Sequence, residues 1–442
     1  MPAAQPIGEV PSFSQVVSET LIKIEADEET QCSILAMIHA KQSGNGSTNT
    51  KLDEVKAKTI VNTLDKLVQA LQNEEVRDCC LRMLSEVCRT NVILPESYIV
   101  RGIVKGKQHK SSTYTDIWMG KLKGKDIRIK VFRKHENEKQ AKIQGAFYYH
   151  VIGWKHISHE NVVPFLGVSD ELPPFCFISP WMPNNILNYT KEHQDADRLV
   201  LLVDAACGLK YLHSKDIVHG GINPENILIS EQGTACIGDF GITGIISDPL
   251  VTGEHGTTAC QRGIVRYMAP EQVAPGMFGL ENSNAVKATD VHSFAMTAYE
   301  VIIGSQPYPR VSGDGQLAMH IIGKSRPPRP TNEIAARWLP DAIWKVMESC
   351  WTLQPSSRLS IEEVYQALIA GKDGSTPKGD KLPKGRTPQD PQQTSDTEEP
   401  PTGDTPQGPL RSETKRPAKR RFWVLIFWGL VFCLGLPSSR PR

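Results

Sequence analysis

Two runs of the chain hold the residues best suited to chemistry. Asp239 lies in Ile237-Gly-Asp-Phe-Gly241, and Asn226 lies in Ile217-Val-His-Gly-Gly-Ile-Asn-Pro-Glu-Asn-Ile-Leu-Ile229. A carboxylate and a carboxamide are hard oxygen donors, the kind that Mg²⁺ prefers. Thiolate metal or redox chemistry is excluded by the cysteines. Ten are scattered through the chain and only Cys79 and Cys80 lie close together. Direct adjacency lacks the two intervening residues that zinc knuckles and redox pairs use, so the thiols read as reduced packing groups. Fifty Lys+Arg against 49 Asp+Glu leave a formal charge of +1, so no global basic field recruits nucleic acid.

The elements that must position these residues follow from periodicity. At 442 residues the chain exceeds one core and implies two or three units. Residues 1–97 carry apolar side chains at helical spacing (Ile60, Leu64, Leu67, Val68 and Leu71; then Val76, Cys80, Leu84 and Val87), which predicts a small all-α region. The polar run 43–50 predicts a loop within it. Over 98–370 short β-rich runs such as Ile127 to Phe132 precede longer helical patterns such as Asp197 to His213, a strand-rich lobe before a helix-rich one. Residues 371–421 are rich in Pro and Thr and nearly free of apolar side chains, which predicts a disordered linker.

The run Phe422 to Leu436 is uncharged and follows Lys415, Arg416, Lys419, Arg420 and Arg421, which suggests a C-terminal membrane anchor that leaves the preceding chain on the cytosolic face. Some fifteen residues at 1.5 Å each reach roughly 22 Å, short of a hydrocarbon core of about 30 Å, so spanning needs local thinning and snorkelling of Arg421 and Arg440. A tail lying in the interface is the alternative.

The two runs above, followed by Arg266-Tyr-Met-Ala-Pro-Glu-Gln272 and by Asp290, Trp351 and Arg358, resemble the core of eukaryotic protein kinases in order and spacing. Phe165-Leu-Gly-Val168, Ser179-Pro-Trp-Met182 and the helical region in front are most similar to the tyrosine-kinase-like kinases of mushroom-forming fungi. The resemblance implies an α+β, bilobal fold with a β-rich N-lobe and a helical C-lobe. It also implies ATP and Mg²⁺ as cofactors. Lys130, Arg128, Ser179 and Met182 would line the nucleotide site, and Asn226 and Asp239 would hold the metal.

The chain departs from the family where the chemistry is done. His219-Gly220-Gly221 stands in place of His-Arg-Asp, so Gly221 occupies the position of the catalytic carboxylate, and Asn223 that of the loop lysine. Lys110, Ser112 and Thr115 stand where the phosphate loop expects glycines, whose missing Cβ allows close backbone approach. His150 replaces the glutamate that pairs with Lys130, unless Glu136 or Glu138 substitutes after a shift of register. Strand alternation puts Arg128 on the face of Lys130, where a guanidinium would crowd the adenine, unless it bends out to solvent along its stem. No catalytic group is intact by this reading. The expectation is a pseudokinase that acts through protein partners, such as an active kinase, with weak or absent ATP binding left open. An active Ser/Thr or Tyr kinase with an unconventional site is the alternative.

Overall fold

A polar cap followed by a buried stripe starts each of the leading helices α1 (Phe13–Lys23), α2 (Glu28–Gln42), α3 (Glu54–Ala70) and α4 (Glu74–Asn91). In α3 the Asp53 carboxylate accepts from the Lys56 N–H, and Ala57, Ile60, Val61, Leu64, Leu67 and Val68 are buried. That 3-and-4 spacing turns one face inward. In α4 Asn73 caps the start, and Val92 ends the helix in the left-handed region at φ 56°, a strained conformation for a β-branched residue. The structure, a computed structural model, describes residues 12–372 apart from 44–50, 112–114, 133–136, 173–175, 242–263, 312, 324–325 and 332. Most of the expected 43–50 loop and nearly all of the expected 371–421 linker lie outside the described residues.

The fold that follows is α+β. Strands β1 (Ile103–Ser111), β2 (Thr115–Leu122), β3 (Lys125–Phe132), β4 (Gly167–Val168) and β5 (Cys176–Pro180) form an antiparallel sheet in the order β1-β2-β3-β5-β4. Helix α5 (Asn137–Lys155) lies between β3 and β4 in the chain. The large lobe holds β6 (Asn184–Asn185), β7 (Ile227–Ile229) and β8 (Ala235–Ile237), with helices α6 (Ile186–Glu192), α7 (Arg198–Ser214), α8 (Pro270–Val273), α9 (Lys287–Ile303), α10 (Asp314–Ile322), α11 (Glu333–Trp338), α12 (Asp341–Cys350) and α13 (Ile361–Lys372). Helix α9 is buried from Thr289 to Ile303 and forms the axis of this lobe. Because α13 runs to Lys372, the folded part extends two residues past the expected boundary at 370.

One apolar core joins the leading helices to the small lobe. Leu84 and Cys88 of α4, Tyr98, and Phe147 and Val151 of α5 belong to it. The approach of α4 to α5 is close: a Cβ on Gly145 would sit 2.5 Å from the Arg89 carbonyl oxygen. The buried Tyr98 hydroxyl donates to the Ile152 carbonyl at 3.3 Å, which ties the entry segment to the same helix.

The expected membrane location is corrected here. Among the described residues no helix is long and apolar enough to cross a membrane. The segment Phe422 to Leu436 lies outside the described residues, and about fifteen residues of helix fall short of a hydrocarbon core on length alone. The C-terminal anchor, the membrane as a partner and the cytosolic-face location are therefore withdrawn.

Candidate functional site

Alternation along β3 builds the site. Ile127, Ile129 and Val131 pack with Cys176 and Ile178 in one cluster, which leaves Arg128 and Lys130 on the opposite face. Both are buried, and both point to one carboxylate. Arg128 Nη1 and Nη2 donate to the two oxygens of Asp239 at 2.8 Å each, and Lys130 Nζ lies 2.9 Å from Oδ2. Exposures of 8, 9 and 5 % for the side chains of Arg128, Lys130 and Asp239 place the whole cluster out of water. Asp239 holds φ 60°, in the left-handed region, where Asp is tolerated better than most residues.

The electrostatics follow from this packing. Burial alone would raise the Asp239 carboxyl, but Arg128 and Lys130 outweigh it and hold the group well below the usual carboxylate range. Burial pushes Lys130 down, Asp239 opposes that, and the charge of Arg128 adds to the fall. Two cations share one carboxylate, so the cluster carries an excess positive charge.

The loop that carries Gly221 keeps its frame. Asp290 on α9 accepts from the His219 and Gly220 N–H groups at 2.8 Å each, and pairs with His213 at 2.9 Å. The fully buried His219 accepts the Gly221 N–H on Nδ1 at 3.2 Å, so Nε2–H donates to the Gly238 carbonyl at 2.9 Å. At the tip, the Gly221 carbonyl accepts from Asn223 Nδ2 at 3.0 Å and from Asn226 Nδ2 at 2.9 Å. Both amide nitrogens are thus engaged in holding the loop. No side chain extends from position 221.

The remaining expected residues surround this centre. Ser179 pairs with Arg128 across β5 and β3, and its buried hydroxyl has no hydrogen-bond partner among the described residues. Beside it, Arg128, Trp154, Phe165, Phe177 and Phe240 enclose a cavity of about 20 Å³, room for one water and not for a base. Met182 packs against Val163, Leu228 and Cys236. His150 stands near Gly241, where an added Cβ would lie 3.6 Å from its Nδ1; the ionic partner of Lys130 is Asp239. Glu136 lies outside the described residues, as does the side chain of Glu138. At the mouth, the His109 ring meets Trp181 edge-on at 4.9 Å, and Lys110 reaches Glu225 in the opposite lobe at 2.8 Å. Of the expected phosphate-loop positions, Ser112 lies outside the described residues.

Sequence reasoning placed Arg128 on the correct face but assigned its side chain to crowding or to solvent, and the structure turns it inward to Asp239. The sequence carried no signal for that end point, because Asp239 lies 111 positions away along the chain. The Lys110–Glu225 contact had no signal in either run.

Comparison with known proteins gives the class. Residues 103–368 match the family of protein tyrosine and serine/threonine kinases, and the chain belongs to that family. It is 24% identical over 267 residues to serine/threonine-protein kinase STY17 of Arabidopsis thaliana, covering 59% of this chain and 43% of that protein. It is 26% identical over 263 residues to the tyrosine-protein kinase transforming protein Abl of Abelson murine leukemia virus, covering 58% of this chain and 32% of that protein. Serine/threonine-protein kinase STY46 of Arabidopsis thaliana is 24% identical over 269 residues, with 60% and 43% covered. The chain thus spans less than half the length of these curated relatives.

Proposed function

We propose that this kinase-fold chain is a pseudokinase, which binds other proteins, such as an active kinase, through a conformation held by its internal ion cluster. The observation that carries the reading is the two-pronged Arg128–Asp239 pair. Magnesium ions in this family need the Asp239 carboxylate. Here both of its oxygens are engaged by a buried guanidinium, so the donor set as arranged does not fit the metal. Gly221 adds to this, since general-base assistance is typically worth about 10² to 10⁴ in rate. The texture of Phe165-Leu-Gly-Val168 and Ser179-Pro-Trp-Met182 supports a place among the tyrosine-kinase-like kinases of mushroom-forming fungi.

A second reading, an active ATP- and Mg-dependent kinase with an unconventional site, is favoured by one observation: Lys130 and Asp239 lie together, with Asn226 on the neighbouring loop. If nucleotide were held, Lys130 would meet its phosphates, and Asn226 and Asp239 its metal. The deciding experiment is thermal unfolding of the full chain with ATP and Mg²⁺, beside Asp239→Asn, with phosphate transfer assayed in parallel. A ligand at about 100 times its Kd stabilises by about 2.7 kcal/mol. The expected result is no shift and no transfer. A metal-dependent shift with transfer that Asp239→Asn abolishes would establish the enzyme instead.

A further inference from the structure

A second opening lies on the large lobe, away from the cleft. Between α6, the start of α7 and α11 the chain leaves a groove of about 650 Å³, within the size range of ligand sites. The cavity beside Asp239 measures about 20 Å³. Lys191 near the end of α6, Arg198 at the start of α7 and Arg337 on α11 line the groove, and Arg337 lies over the Trp338 ring, 4.6 Å from its centre. Asp195 and Glu333 line it too, both exposed to water.

Arg198 differs from its neighbours. It is 9% exposed, and Nη1 donates to the Val301 and Ile302 carbonyls at 3.0 and 2.8 Å. Those carbonyls end α9, whose dipole supplies only about half a negative charge. The buried Nε has no partner among the described residues. Burial, and then the charge of Arg337, make the guanidinium harder to keep protonated than usual. Elsewhere this chain pairs its buried arginines, Arg128 with Asp239 and Arg358 with Glu271. A buried cation without a carboxylate calls for an explanation, and here it stands beside two further cations in an open groove.

We infer that this groove is a binding site for a phosphate monoester, held by Arg198, Arg337 and Lys191, and carried either by a phosphorylated peptide or by a small phosphate compound. A carboxylate brings one charge; a phosphate monoester brings up to two and three acceptor oxygens, which suits three cations lining one groove.

The test is calorimetric titration of the full chain with inorganic phosphate, with a phosphothreonine peptide and with the same peptide unphosphorylated. Both phosphate probes bind and the unphosphorylated peptide does not. Binding by the phosphopeptide more than about tenfold tighter than by inorganic phosphate assigns the group to a protein; equal binding assigns it to a small compound. The double variant Lys191→Ala/Arg337→Ala changes only exposed side chains, so it keeps its unfolding midpoint while losing about tenfold or more in affinity. Lys58→Ala, which removes an exposed cation on α3, leaves the affinity unchanged. Absence of binding by both phosphate probes, equal binding of the unphosphorylated peptide, full affinity in the double variant, or a matching loss in Lys58→Ala would each overturn the site.

Discussion

Two buried arginine–carboxylate pairs sit in different regions and do opposite things. In the large lobe Arg358 uses every donor: Nη1 and Nη2 reach Glu271 at 2.5 and 2.7 Å, and the carbonyls of Thr352, Ala288 and Leu353 take the rest. In the cleft Arg128 directs two donors to Asp239 and shares that carboxylate with Lys130. The first pair ties α8 to the segment that leads into α13 and has no alternative partner among the described residues. On the proposed reading, the second occupies groups that a metal and a nucleotide would otherwise take, so one interaction type preserves the fold in one region and closes the chemistry in the other.

The contrast is broken most directly by Arg358→Ala. Stranding Glu271 inside the lobe is expected to cost about 3–5 kcal/mol in chemical denaturation of the full chain. A loss clearly under about 3 kcal/mol, within the range expected of the cleft pair, would place the two pairs in one class. Arg128→Ala is expected to cost less, about 1–3 kcal/mol, because Lys130 stays on Asp239. It also frees carboxylate oxygens, so thermal unfolding should show an ATP- and Mg-dependent shift that the parent lacks. A variant as unresponsive as the parent would place the block elsewhere, in the closed mouth or at Gly221.

Acid separates the two regions by pH. Burial, ahead of all other influences, holds His219 and His292 of the large lobe below their ordinary 6.5. The unfolded chain then takes up protons that the folded one refuses, so stability falls as pH drops below about 6.5, by up to about 1.4 kcal/mol per pH unit for each such group. Asp239 has the sign of a paired acid. Its folded value lies below the ordinary 3.8, so its contribution is complete above that pH and is lost as pH falls below it. Asp239→Asn should therefore flatten only the limb below about pH 3.8, read from urea midpoints against pH. Flattening of the limb near pH 6 would contradict the assignment. The smallest effect is expected at the mouth, where Lys110 and Glu225 are 47% and 57% exposed. Lys110→Ala should change the denaturation free energy by less than about 0.5 kcal/mol.

Much of the fold was legible because its signals are local. The stripe in α3, the Asp197 cap of α7 and the alternation along β3 each follow from neighbouring residues. The empty position at Gly221 was legible for the same reason. The membrane reading is overturned because no described helix is long and apolar enough to cross a membrane, and the run itself had already measured short of a hydrocarbon core. The docking of α4 on α5 was hidden, since an amphipathic stripe says that a face is buried without saying against what.

By itself the sequence determined the kinase fold, the glycine at position 221 and the placing of Arg128 on the face of Lys130, because motif spacing and strand period are properties of adjacent residues. The tertiary structure alone decided where that guanidinium ends. Arg128 and Asp239 are 111 positions apart, and only the closing of two lobes brings them into a space from which water is excluded. There a long cation can neither snorkel to solvent nor remain unpaired, so it takes the nearest carboxylate.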